Sequence, residues 1–217
     1  MVHQKGLDLN QELLYLLNSL SFMDATKAFH HYLDKFVTIS DQDFKSLILP
    51  YITIRKFAKK EQITKAGEIE NWINFIGKGL IRKFYLKGEE EINTQISMEG
   101  HIIHSQESFH SRTASEYTVE TIEPSIVVSS TFDQLEALFG QSQQMEHMGR
   151  MIITHTMVIK DRWQMMLVKQ SPRERFIHFV TRNPEMLQRV PQKFLASYLN
   201  IKPETFSRFK HMLRQHR

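Results

Sequence analysis

Between Lys202 and Arg208 the chain sets Lys202, Glu204, Thr205 and Arg208 at helical spacing, and these side chains can hydrogen-bond nucleic-acid bases and phosphates. Arg208 matches a bidentate donor to guanine O6 and N7, Glu204 an acceptor for cytosine N4, and Thr205 a contact to either a base or a phosphate. Gln192, Lys193 and Lys210 suit phosphate oxygens, which position a protein on a duplex without reading its sequence. Lys202 completes the candidate DNA-binding set.

Such groups read a groove only when a second element holds their helix in place. Phe194, Leu195, Tyr198 and Leu199 recur at spacings of one, three and four, which gathers them into an apolar stripe facing a core. Asn200 falls at the corner after this helix, where a left-handed conformation is commonly needed and asparagine tolerates it. Pro203 suits the first turn of a second helix, because its missing N–H costs nothing there. In that second helix Ile201, Thr205, Phe206, Phe209 and Met212 pack inward, leaving Lys202, Glu204, Arg208 and His211 on other faces. The pair predicts a helix-turn-helix whose second helix is the reading one; a plain helical hairpin is the alternative.

Charge follows the same division. From Ser171 onward there are ten Lys or Arg against three Glu, a net of +7, and the rest of the chain holds 18 cations against 21 acids, a net of −3. Clustered cations that neutralise phosphates release counterions and supply most sequence-independent DNA affinity. A solvated basic tail is the bland reading, but these cations interleave with apolar residues at helical spacing.

At 217 residues and 41% hydrophobic, the chain can bury one large core or two modest ones. The absence of cysteine excludes disulfides, thiolate zinc sites and cysteine-ligated iron–sulfur clusters. The opening MVHQKGLDLNQELLYLLNSL has an apolar patch broken by Glu12 and Asn18, too short to span a bilayer and poorly formed as a signal peptide, so a cytoplasmic protein with no membrane partner is expected.

Helical periodicity covers Phe22 to Phe36, and Ser40-Asp41-Gln42-Asp43 forms a capping-box-like start for a helix through Leu49, closed by Pro50. From Tyr51 the pattern turns to alternating, β-branched and aromatic runs: YITIRKF, NWINFI, LIRKFYL, EINTQISM, EYTVETI and SIVVSST. Gly67, Gly77, Gly79, Gly88 and Gly100 punctuate them, which predicts an antiparallel sandwich or roll. Beyond Thr131 a long helical segment runs to about Lys169. Met145, Met148, Ile152, His155, Ile159, Arg162 and Met166 follow a four-three spacing there, and Met151, Val158, Trp163 and Met165 broaden the stripe. The same helix from a second subunit would cover such a seam, as would intramolecular packing. Ser171-Pro172-Arg173-Glu174 marks a new helix start, with a hinge near Gln170.

This order of elements resembles the Crp/Fnr family of catabolite-activator-like regulators over nearly the whole chain. Asn74-Phe75-Ile76-Gly77-Lys78-Gly79-Leu80-Ile81-Arg82 is similar to the family's strand, glycine turn and strand, and Ser171-Pro172-Arg173-Glu174-Arg175 to the start of its C-terminal domain. Val190 to Ile201 resembles its first helix and corner, and Lys202 to Arg208 its recognition helix, with Glu204 and Arg208 at positions that often contact base edges. Pro203 departs from the pattern, since a DNA-reading arginine often stands there. The resemblance implies an α+β chain: an N-terminal antiparallel β-roll of cyclic-nucleotide-binding-like, jelly-roll type with flanking helices, a long dimerisation helix, and a C-terminal winged-type helix-turn-helix domain. The corresponding boundaries are 1–131, 132–170 and 171–217.

Family members that bind cyclic nucleotides use a glutamate for the ribose hydroxyl and an Arg-Ser pair for the phosphate. In the matching stretch, Gln106 to Glu116, Glu107 corresponds to the glutamate and Ser115 to the serine, but Ala114 stands at the arginine position. Ser108 and Arg112 complete the candidate effector pocket, Arg112 as the substitute cation. Without the fork-bonding arginine, and with Glu116 adding repulsion, cyclic AMP is expected to bind weakly or not at all. No cofactor is expected, and the pocket is left to another small-molecule effector or to none.

His101, His104, His110 and Glu107 crowd one stretch and raise the alternative of a cupin-type metal enzyme. A spacing of three on a strand, however, points His101 and His104 to opposite faces. No nucleophile or general base stands out. The resulting expectation is a non-enzymatic, homodimeric transcriptional regulator acting on double-stranded DNA, with RNA polymerase as a further partner implied by the family. The alternative is a β-roll sensor or scaffold without sequence-specific DNA binding.

Overall fold

In the computed structural model, residues 9–215 are described. Helix α1 spans Leu9–Asp34, longer than the periodic stretch from Phe22 suggests. Ser40 caps α2 (Asp41–Asp43), its Oγ accepting from the Asp43 N–H, and the chain continues as a π turn to Ile48 and a 3-10 turn to Tyr51. Eight strands follow: β1 (Thr53–Phe57), β2 (Gln62–Thr64), β3 (Trp72–Lys78), β4 (Ile81–Lys87), β5 (Glu90–Ser97), β6 (Ile102–Ile103), β7 (Thr118–Thr121) and β8 (Ser125–Thr131), with α3 (Gln106–Ser111) between β6 and β7.

The strands form two antiparallel four-stranded sheets ordered β1-β8-β3-β6 and β2-β7-β4-β5. Chain neighbours repeatedly cross between sheets, which closes a jelly-roll type β-roll. Ile76, Ile81, Ile103, Val119 and Val127 fill its interior. Between β3 and β4, Gly79 takes φ +103°, and a Cβ there would meet the Ser125 Oγ at 2.3 Å, so both backbone and space require glycine. The outer face of the first sheet carries Phe75 and Val128, covered by α1 and by the helices that follow β8.

The helical stretch beyond Thr131 is two helices. Thr131 and Gln134 close a capping box at the start of α4 (Phe132–Phe139), and Ser142 caps α5 (Gln143–Lys169) after a break at Gly140. The two fold against each other closely: a Cβ on Gly149 would meet the Phe139 ring at 2.5 Å. Met145 and Met148 are spent in the core shared with α1, and Met166 in the core of the C-terminal helices. The four-three seam is thus spent within the chain at Met145, Met148 and Met166, while Ile159 and the flanking Val158 and Met165 stay exposed. The exposed apolar groups of α5 are Ile153, Met157, Val158, Ile159, Met165 and Val168, the last 76% exposed.

At Gln170 the backbone turns extended, and Ser171 and Glu174 close a second capping box opening α6 (Pro172–Arg182). The helices α7 (Met186–Arg189), α8 (Gln192–Tyr198) and α9 (Pro203–Gln215) complete the C-terminal unit. No wing strand follows β8 among the described residues; between α6 and α8 the chain instead forms α7, whose Met186 and flanking Val190 are buried. No helix among the described residues is long and apolar enough to cross a membrane. Of the opening twenty residues read in the sequence, 1–8 lie outside the described residues and the rest fall in α1.

Candidate nucleic-acid interface and effector cavity

Helices α8 and α9 meet at the predicted corner. Asn200 adopts φ +51°, the left-handed conformation that turns the chain between them. Ile201, Phe206 and Phe209 bury the inner face of α9, and the Phe206 ring meets Phe176 of α6 edge-on at 5.0 Å. Lys202, Glu204 and Arg208 are exposed, as is His211, whereas Thr205 and Lys210 are half-buried. Gln192 and Lys193 stand exposed on the first turn of α8. The structure thus brings the seven DNA-binding candidates onto one helical pair, with the charged tips of Arg208, Glu204 and Lys202 outward.

A residue the sequence reading passed over fixes this corner. Arg175, 7% exposed, donates from Nε to the Leu199 carbonyl (2.8 Å) and from Nη2 to the Asn200 carbonyl (2.8 Å). Its Nη1 reaches the carbonyls of Gln170 (2.7 Å) and Leu167 (3.3 Å) at the end of α5. One guanidinium therefore ties the α8–α9 corner to the end of the long helix α5. The signal was present: Arg175 sits on the apolar side of α6, beside Phe176 and Phe179.

The β-roll holds α8 as well. Arg82 of β4 pairs with Glu91 and Glu120 at 2.7 Å each and lies between the rings of Phe84 and Phe194, 3.9 Å from both centroids. The Asn93 N–H donates to the Ser197 Oγ, which donates in turn to the Glu91 carbonyl. Arg189 forks onto Glu99 and Glu123, both at 2.8 Å. Leu80, Ile96 and Ile122 of the roll share one core with α6 to α9.

Three of the four predicted effector residues, Ser108, Arg112 and Ser115, build scaffold rather than line an open site. Glu107 is exposed on α3. Ser108 is buried, its Oγ accepting from the Glu70 N–H and donating to the Thr113 carbonyl. Ser115, also buried, donates to the Tyr117 carbonyl, and its Oγ pairs with the Ser105 hydroxyl. Arg112 caps α3 at φ +57°, and its guanidinium is held by the carbonyls of Glu70 and Phe109 and by the Asn71 Oδ1. These bonds converge on Glu70, a fully buried carboxyl that accepts from the N–H groups of Trp72 and Ser105 and whose pKa burial raises.

The large cavity lies beside this scaffold. It measures about 800 Å³, between the roll, α5 and the C-terminal helices, with walls that include Tyr117, Trp163, Phe179 and Tyr198. The Trp163 and Tyr198 rings stack at 4.1 Å, joining α5 to α8 along one wall. Lys83 and Lys160 also line it. Lys83 is 7% exposed, donates to the His104 carbonyl and lies over the Tyr117 ring at 5.1 Å. Burial, reinforced by Lys160, lowers its pKa to about 8. Of the crowded histidines, His101 is exposed and His104 buried, and no group of three or more metal-ligating side chains occurs among the described residues.

No protein-family model matches the sequence, and no curated protein matches it. Solved structures do. FixK2 from Bradyrhizobium japonicum superimposes with a TM-score of 0.63 at 18% identity, covering 76% of this chain and 85% of that one. The c-di-GMP responsive global regulator CLP of Xanthomonas campestris gives 0.61 at 15%, covering 81% and 93%. The Thermus thermophilus catabolite activator protein gives 0.51 at 16%, covering 83% and 86%. The chain has the Crp/Fnr fold. Within the Crp/Fnr fold, α8 and α9 are the helical pair of the C-terminal domain and the roll is the N-terminal domain.

Proposed function

We propose that this chain is a homodimeric transcriptional regulator that reads double-stranded DNA through α9 and responds to a small anionic molecule held between its β-roll and α5. The observation that carries the reading is the α8–Asn200–α9 corner, built on Arg175, with Lys202, Glu204 and Arg208 exposed on the outer face. The concentration of net positive charge after Ser171 supports a polyanionic partner. Superposition on solved Crp/Fnr regulators, none of them described as an enzyme, supports the same role, and the cytoplasm is where it would act.

The apolar row on α5, from Ile153 to Val168, supports pairing with the same row of a second copy. The effector reading rests on Lys83 and Lys160. A buried lysine with one carbonyl partner favours an anion, and the aromatic walls suit a ring or apolar body. Cyclic AMP is a poor candidate, because Arg112 is committed to backbone carbonyls and Ala114 offers no cation. Calorimetric titration of the full chain with cyclic AMP is expected to give no heat; micromolar binding would overturn that part.

The base-reading assignment separates from the phosphate assignment by mutation. Arg208→Ala is expected to cost about 1–3 kcal/mol on a preferred site and to relax choice at one base pair. Lys193→Ala should weaken preferred and scrambled duplexes alike and reduce the salt dependence. Equal losses from both variants on both duplexes, measured by fluorescence anisotropy, would refute the division of roles.

A further inference from the structure

A second, smaller cavity lies nearer the N-terminal end of α5. It occupies about 80 Å³ between the outer face of the first sheet and α1, α4 and α5, with Phe75, Ile102, Val128, Met148 and Ile152 in its walls. Of the residues lining the large cavity, it shares Ile102 and Thr156. Its volume is several times what one water needs. Most of its lining is hydrocarbon, and an apolar cavity of this kind gains little from holding water.

Its polar lining is nearly all engaged. The Ser130 Oγ donates to the Tyr51 carbonyl at 2.8 Å, the Thr156 Oγ1 to the Ile152 carbonyl at 2.9 Å, and the Gln106 amide oxygen accepts from Lys160. His110, also in the lining, stands at the exposed end. His104 differs. It is 7% exposed, and its Nε2 is buried with no hydrogen-bond partner among the described residues. Burial and the neighbouring cations Lys83 and Lys160 hold its pKa well below the ordinary range, so the ring is neutral.

We infer that this cavity is a binding site for a compact, uncharged molecule with one hydroxyl, of the short-chain alcohol class, whose hydroxyl pairs with the His104 Nε2. A neutral imidazole presents either a donor or an acceptor at Nε2, according to its tautomer. A hydroxyl both donates and accepts, so it satisfies either one. The apolar walls then take the alkyl chain. Lys83 and Lys160 disfavour a cation, and the cavity's own lining offers no fixed positive charge to an anion.

The test uses the full chain, with 1-butanol as the probe and 1-chlorobutane as a match of similar size that lacks the hydroxyl. Methyl resonances of Ile102, Met148 and Ile152 are followed through a millimolar titration, together with the His104 ring nitrogens. Saturable shifts confined to these methyls are expected, with 1-butanol binding about fivefold tighter than 1-chlorobutane. The Nε2 resonance should move with 1-butanol alone. In His104→Leu the preference for 1-butanol should disappear. Absence of saturable shifts, equal binding of both compounds to the unaltered chain, or an unchanged preference in His104→Leu would each overturn the inference. The ring-nitrogen readout needs no variant, so it decides the matter even if His104→Leu fails to fold.

Discussion

Lys83 is a cation placed where a single carbonyl bond and an aromatic face compensate for its lost hydration. Its folded pKa, about 8, lies below the value of about 10.4 for an exposed lysine. Between these two pH values the unfolded chain binds more protons than the folded one, so this group makes stability rise with pH there. Below about pH 8 the whole penalty is present, up to about 3 kcal/mol. Lys83→Met is therefore expected to stabilise the ligand-free protein at pH 7, with the gain shrinking as pH rises through the interval. Urea melts of both proteins across that range check the sign; an advantage independent of pH would refute it. At this scale the sequence was legible where chemistry is local: Asn200 at the corner, Ser171 and Glu174 in their capping box, and the outward Lys202, Glu204 and Arg208. It was not legible where a side chain serves residues far along the chain. Arg82 pairs with Glu120, Arg189 with Glu99, and Ser108 and Arg112 are absorbed by Glu70 and its neighbours, so the matching of effector residues by motif met scaffold instead.

Strands of four residues or more carried their own alternation, and all were anticipated from it. β2 and β6, three and two residues long, are too short to show a period and exist because neighbouring strands pair with them. The apolar spacing of α5 was equally visible, but its periodicity cannot say which partner buries it. Met145 and Met148 went to the roll's helical cover and Met166 to the C-terminal core. What remains outside is the row containing Ile153, Met157, Val158, Met165 and Val168. A pair of charges set into that row, Met157→Glu with Val168→Glu, is expected to convert the proposed dimer to monomer in sedimentation equilibrium while leaving the circular dichroism spectrum unchanged, because both side chains are exposed in the single chain. An unaltered mass would place the subunit interface elsewhere.

Across the whole molecule, the roll and the C-terminal helices share a core through Leu80, Ile96 and Ile122, and the Arg82 and Arg189 ion pairs close its edge. The aromatic stack of Trp163 on Tyr198 lies in the wall of the 800 Å³ cavity and belongs at once to α5 and α8. A ligand that moves either ring would act directly on α8, the helix that precedes α9. On the proposed function, α9 reads sequence as one half of a symmetric pair. That role is tested most directly by selecting duplexes from a random library with the purified full chain. A two-fold symmetric site should be enriched, its half-sites about one helical turn apart or a multiple of it. Enrichment of no site, with duplexes retained only in proportion to their charge, would contradict it and leave a roll-based sensor without sequence-specific DNA binding.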